Sequence, residues 1–140
     1  MTIDRTMLYD FIRVRPLAVL ATVSADRAPE SALINIAVSE ELELVFDTIE
    51  TSRKHANLAR DPHIAFVIGW DGEETVQYEG IADGEQNAEL ERLKAIYFAA
   101  FPEGEARRDM PGIVYYRVRP TWIRFSSYYR PRRIEEMRFA

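Results

Sequence analysis

Residues 46–62, FDTIETSRKHANLARDP, decide how the rest of the chain is read. The apolar residues Leu42, Leu44, Val45 and Phe46 leading into it read as a strand. A polar turn follows, in which Thr51 can cap a helix opening at Ser52. The next residues are then Ser52, Arg53 and Lys54. Two cations in a first turn oppose the helix macrodipole, which places about half a positive charge at a helix start and favours Asp or Glu there. A bound anion removes the conflict, held by free backbone N–H groups, the hydroxyls of Thr48, Thr51 and Ser52, and the side chains of Arg53 and Lys54. Local rules fail most often at functional sites, so the segment reads as a phosphate cradle. The competing reading is that Arg53 and Lys54 are solvated side chains on a surface helix.

Length and composition bound what such a cradle serves. A chain of 140 residues fits one domain, residues 1–140, with enough surface to bury around a single core. The absence of cysteine excludes disulfides, thiolate nucleophiles and cysteine metal sites, so redox chemistry requires a bound cofactor. No charged-then-apolar leader opens the sequence, and no apolar run approaches the roughly 18 residues of a membrane span, so the expectation is a soluble, cytoplasmic protein. The net charge of −5 is unevenly spread: residues 1–106 hold nine Lys/Arg against twenty Asp/Glu, and residues 107–140 hold nine Arg against three acids. An acidic body excludes general nucleic-acid binding, whereas the arginine-rich end suits a second subunit or an anionic ligand.

Outward from the cradle, residues 4–14 carry Met7, Leu8, Phe11 and Ile12 on one stripe of a short amphipathic helix, which Pro16 stops. The run Leu17–Val23 reads as a strand covered on both faces, as a barrel wall is, and after a turn at 24–29 residues 31–38 return as its hairpin partner. The cradle helix ends at Asp61-Pro62, and residues 63–69 form a further strand. After the acidic turn 70–74, residues 75–83 pair back, with Gly80 marking a bulge or a close backbone approach. Residues 86–101 form the clearest amphipathic helix, residues 102–112 a polar loop, and residues 113–119 and 122–128 two closing strands joined by a Pro-Thr turn. The tail from Tyr129 shows no period. About six antiparallel strands with three short helices between them are best accommodated by closure, which removes exposed edges and predicts a mainly β fold, a β-barrel with peripheral helices.

These segments together resemble the flavin-binding split-barrel family typified by pyridoxamine 5′-phosphate oxidase. The likeness runs through the hairpin LAVLATVSADRAPESA, the strand ending VFDTIETSRK, NLARDPHIAFVI, YEGIADGE and the closing YRVRPTWIRF. Thr48 four residues before Ser52-Arg53-Lys54, followed by Asp-Pro and an apolar strand, is its specific element. The resemblance implies a six-stranded antiparallel split β-barrel that binds FMN, with Thr48, Ser52, Arg53 and Lys54 on the phosphate side. It further implies that Leu33, Ile34, Asn35 and Ile36 line the isoalloxazine ring through their backbone. A homodimer with two cofactor sites at the subunit interface is also implied.

The departures are specific. The family's arginine and lysine on the ring-lining strand fall on Glu30 or Ser31 and on Asn35 or Ile36. Its glutamine falls on Thr75, with Gln77 on the same strand face as a substitute. Its stacking tryptophan falls on Ser126, with Trp122 earlier on the strand, and the Arg-x-His element that holds the pyridoxal substrate has no match in residues 128–133. The expectation is therefore a small member of the family that is not itself a pyridoxamine phosphate oxidase.

Three functions compete. One is an FMN-dependent oxidoreductase acting on an unidentified small molecule, with a nicotinamide donor whose phosphates the terminal arginines would hold. A second keeps the barrel but binds a deazaflavin coenzyme or haem, with His55 or His63 as axial ligand. The third binds flavin without turnover. No dedicated acid or base stands out, and Tyr115, Tyr116, Tyr128 and Tyr129 read as core, interface or pocket wall.

Overall fold

The computed structural model describes residues 3–84 and 87–140. Asp4 caps helix α1 (Arg5–Arg13) by accepting from the Met7 N–H at 2.8 Å. The hairpin β1 (Leu17–Val23) and β2 (Pro29–Asn35) follows in the register Leu17↔Asn35 to Val23↔Pro29. A two-residue strand β3 (Ala37–Val38) leads to β4 (Leu44–Ile49), helix α2 (Arg53–Arg60) and the hairpin β5 (His63–Ile68) and β6 (Glu74–Asp83). Helices α3 (Ala88–Ala100) and α4 (Pro102–Glu105) precede the long strand β7 (Ile113–Ser127) and the final strand β8 (Arg133–Arg138).

All pairings are antiparallel, in the order β2-β1-β5-β6-β7-β4-β3, with β8 beside β7. The two ends of that order, β2 and β3, are consecutive in sequence and separated only by Ile36. The sheet therefore has to curl until its ends approach, which gives a split barrel. Its interior is filled by inward residues such as Leu20, Leu44, Phe46, Phe66, Val76, Tyr78, Val118 and Phe125, with Leu8 and Ile12 of α1 packed into the same core. The Tyr78 hydroxyl donates to the Leu42 carbonyl at 2.7 Å, tying β6 to the left-handed turn before β4, where Leu42 has φ 68°.

A second cluster lies outside the barrel, where Leu90, Leu93, Tyr97 and Phe98 of α3 cover Ala37, Val45 and Tyr115 of β3, β4 and β7. Among the described residues the opposite outer face has no such cover. Across β2, β1, β5 and β6 the register aligns Leu33, Val19, Val67 and Gln77, and Leu33 is 60% and Val67 41% exposed. The coverage of β1 on both faces expected from its sequence is thus not met within one chain.

Several elements differ from the sequence reading. Among the described residues there are eight strands rather than six, even though β7 runs unbroken through Pro120-Thr121, where a turn was expected. Proline lacks an N–H for the ladder, and the register shifts between Glu79 and Gly80, opposite Pro120, so a bulge absorbs the irregularity. The tail forms β8, the strand expected over residues 31–38 breaks at Ile36, and the 102–112 loop begins with a helical turn. Helix α3 starts at Ala88, capped by Asn87; Gln86, where it was expected to begin, lies outside the described residues.

A Cβ at Gly80 would sit 2.5 Å from the Arg119 carbonyl oxygen, a backbone atom that cannot swing aside. Gly80→Ala is therefore expected to destabilise the fold by about 3 kcal/mol, read from the urea midpoint.

Candidate cofactor-binding site

The sequence places a hydroxyl at the start of α2, and the structure identifies it as Ser52 rather than Thr51. Ser52 is extended (φ −74°, ψ 154°), and its Oγ accepts from the His55 N–H at 3.2 Å. Helix α2 consequently opens at Arg53, one residue later than expected. Thr48, buried one residue before the end of β4, donates its hydroxyl to Ser52 Oγ at 2.9 Å. Strand end, turn and helix start are thus held by one local chain of hydrogen bonds. The backbone N–H groups of Arg53 and Lys54 lie in the first turn, where helix geometry provides no carbonyl partner.

This helix start faces β1 and β2 across a cleft lined by Leu20, Thr22, Glu30, Ser31, Arg53 and Lys54. The cleft lies at the split, because β2 is an end of the sheet and pairs with β1 alone. Its two cations are not equivalent. Arg53 is 73% exposed and forms an ion pair with Glu30 at 3.1 Å, whereas Lys54 is half-buried and has no ion pair among the described residues.

Glu30 is in turn fixed from behind. Asn57, 4% exposed, donates one amide hydrogen to Glu30 Oε1 and the other to Thr22 Oγ1, both at 2.9 Å. Its Oδ1 accepts from Arg60 at 3.2 Å, and Arg60 also reaches the Val23 carbonyl at 2.7 Å. Sequence reasoning noted Glu30 only as a departure and missed Asn57 and Thr22. They lie 27 to 35 residues apart along the chain from their partners, so no local pattern links them.

The expected site residues divide between two faces. Thr48, Ser52, Arg53 and Lys54 come together at the helix start, while Leu33 and Asn35 point to the other side of β2, away from the buried partners Leu20 and Ala18 of their neighbours Ala32 and Ile34. Ile34 packs against the core. Gln77 lies on the uncovered outer face with Leu33, and Thr75 donates weakly to the Ile68 carbonyl at 3.4 Å. Trp122 is held at the same outer face by its indole N–H, which donates to Glu136 at 2.6 Å, with the Arg124 guanidinium 5.4 Å from its ring.

The histidines are both engaged. His55 Nδ1 lies 2.7 Å from the Tyr116 hydroxyl, and burial raises the Tyr116 phenol above its ordinary value, keeping it a neutral O–H. His63 Nδ1 lies 2.7 Å from Asp61, whose carboxyl is held below its usual range mainly by that hydrogen bond. Of the nine arginines from residue 107 onward, Arg108 pairs with Glu105, Arg117 with Asp83, Arg124 with Glu136 and Arg133 with Glu135, leaving Arg107, Arg119, Arg130, Arg132 and Arg138 without ion pairs among the described residues.

A family model described as pyridoxamine 5′-phosphate oxidase matches residues 7–127, nearly the whole barrel. The chain belongs to the pyridoxamine 5′-phosphate oxidase family. A pyridoxine/pyridoxamine 5′-phosphate oxidase of Burkholderia vietnamiensis is 36% identical over 86 residues, covering 61% of this chain and 38% of the relative, so the match spans well under half of that protein's length. Among solved structures, a heme binding protein from Mycobacterium smegmatis superposes with a TM-score of 0.84 at 16% identity, over 99% of this chain and 59% of the other. An F420 reductase superposes with a TM-score of 0.64 at 21% identity, over 81% and 93%. At these identities the likeness is one of fold. No helix among the described residues is long and apolar enough to cross a membrane.

Asn57 uses its carbonyl and both amide hydrogens, and its removal leaves Glu30, Thr22 and Arg60 each short of a partner. Asn57→Ala is expected to lower stability by about 2 kcal/mol in a urea melt.

Proposed function

We propose that this protein binds FMN in the cleft between β2 and α2 and uses it as an oxidoreductase on a small molecule. The observation that carries the reading is the coincidence of three features at the split. Lys54, a half-buried cation without an ion pair among the described residues, lies beside two helix-start N–H groups and next to the edge of β2 that is unpaired among those residues. Lys54, Ser52 and the N–H groups of Arg53 and Lys54 would hold the phosphate end. The edge of β2 from Leu33 to Asn35 would present backbone groups to the ring. When bound, the flavin supplies the hydride chemistry, and the chain supplies binding, orientation and exclusion of water.

Leu33, Asn35, Gln77 and Trp122 fall on a face that one chain leaves bare, which supports a homodimer whose second copy completes the ring site. Adjacent apolar residues left open on one sheet face are the usual material of such an interface. Arg119, Arg130 and Arg132 are among the arginines without an ion pair in the described residues and would be available to a nicotinamide donor's phosphates. The haem reading would use the Nε2 atom of His55 or His63, whose Nδ1 atoms are engaged by Tyr116 and Asp61, and the deazaflavin reading shares the cleft.

The test is the visible spectrum of the purified protein, then parallel titration with FMN, the deazaflavin coenzyme and haemin. FMN is expected to bind most tightly; preference for haemin or binding of none overturns the reading. Lys54→Ala should weaken FMN binding by about tenfold or more, and Arg53→Ala by less than about threefold, since Glu30 already occupies that guanidinium. Leu33→Asp should yield a monomer in sedimentation with a folded circular-dichroism spectrum and reduced flavin binding.

A further inference from the structure

Resting on the reading of this cleft as a cofactor's phosphate site, the geometry of Glu30 limits what that phosphate can be. An anion site normally collects donors, yet this cleft has a carboxylate in its wall, 20% exposed and opposite Lys54. Glu30 is not a stray surface side chain that a ligand would push aside. The Asn57 carbonyl accepts from Arg60, so the Asn57 amide hydrogens must face β1 and β2, where Thr22 and Glu30 take them. Displacing Glu30 would strand a buried donor. With Glu30 fixed, the side chains of Arg53, Lys54 and Glu30 leave one net positive charge facing the ligand instead of two.

We propose that Glu30 is the specificity-determining residue of the cleft, admitting a phosphate end that bears one negative charge and discriminating against the dianion of a phosphomonoester. A phosphodiester meets the condition directly. A phosphomonoester meets it by keeping its second proton, which Glu30 is placed to accept in a hydrogen bond, so such a ligand takes up a proton on binding near neutral pH.

The test uses small probes on the full chain at pH 8, where methyl phosphate is a dianion and dimethyl phosphate a monoanion. Both are followed through the backbone amide resonances of Arg53 and Lys54. In the wild-type protein dimethyl phosphate is expected to bind at least as tightly as methyl phosphate, a comparison that requires no variant. In Glu30→Gln, which keeps an acceptor for Asn57, methyl phosphate should gain about tenfold and dimethyl phosphate change by less than about threefold. A wild-type preference for methyl phosphate of about tenfold, an unchanged ratio in Glu30→Gln, or no response to either probe in both proteins overturns the proposal. Riboflavin and FMN titrated alongside separate the two readings. If the phosphates behave as expected and neither flavin binds, the flavin assignment falls and the charge rule stands. If both flavins bind and Glu30→Gln leaves their ratio unmoved, the charge rule falls and the flavin assignment stands.

Discussion

The fold depends on one connection. Because β2 and β3 lie at opposite ends of the sheet and only Ile36 separates them in sequence, the seven-strand path between those ends has to bend into a near-closed surface. Strand twist supplies part of the curl, and the barrel core of Phe46, Phe66, Tyr78 and their neighbours fills the space it encloses. Where the ends approach without pairing, a seam remains with a bare strand edge. Helix α2, joining β4 to β5, packs near this seam against β1 and β4. The site is therefore a product of incomplete closure, and a fully hydrogen-bonded barrel of these strands would leave no edge for a ligand.

Burial is lopsided for a related reason. Helix α3 lays Leu90, Leu93 and Tyr97 over β3, β4 and β7, so Val45 and Tyr115 are buried outside the barrel as Phe46 is inside it. Among the described residues no helix covers the outer face of the other half of the sheet, whose outward residues include Leu33 and Val67 as well as Gln77. The two halves thus follow different rules of composition. Four of the six side chains of β4 are buried, whereas β2 alternates partly covered and exposed side chains.

Much of this was legible in the sequence where local signals suffice. The stripe of α1, the apolar runs of β1 and β5 and the Asp61-Pro62 stop each carry their own period or punctuation. Pro120-Thr121 misled because proline within a strand ordinarily marks its end, and only the bulge opposite Gly80 lets β7 continue. Strand β8 was illegible for another reason: its partly covered positions are Arg133, Glu135 and Met137 while Ile134 is exposed, the reverse of the usual alternation. In the candidate site, the helix start was readable because capping and charge act over a few residues. The pairing of Arg53 with Glu30 and the support from Asn57 depend on the β1–β2 hairpin lying against α2, which no local pattern encodes.

That division between near and distant partners has an evolutionary reading. The turn that secures the helix start is self-contained, from Thr48 through Ser52 to the His55 N–H. The acidic wall opposite it belongs to another hairpin and is joined to this turn by the ion pair of Arg53 with Glu30. A lineage can therefore exchange the residue at position 30 without disturbing the hydrogen bonds that shape the turn. Barrels of one architecture can in this way diverge in the ligands they retain by drift at a single strand position, while the loop that first identifies them stays unchanged.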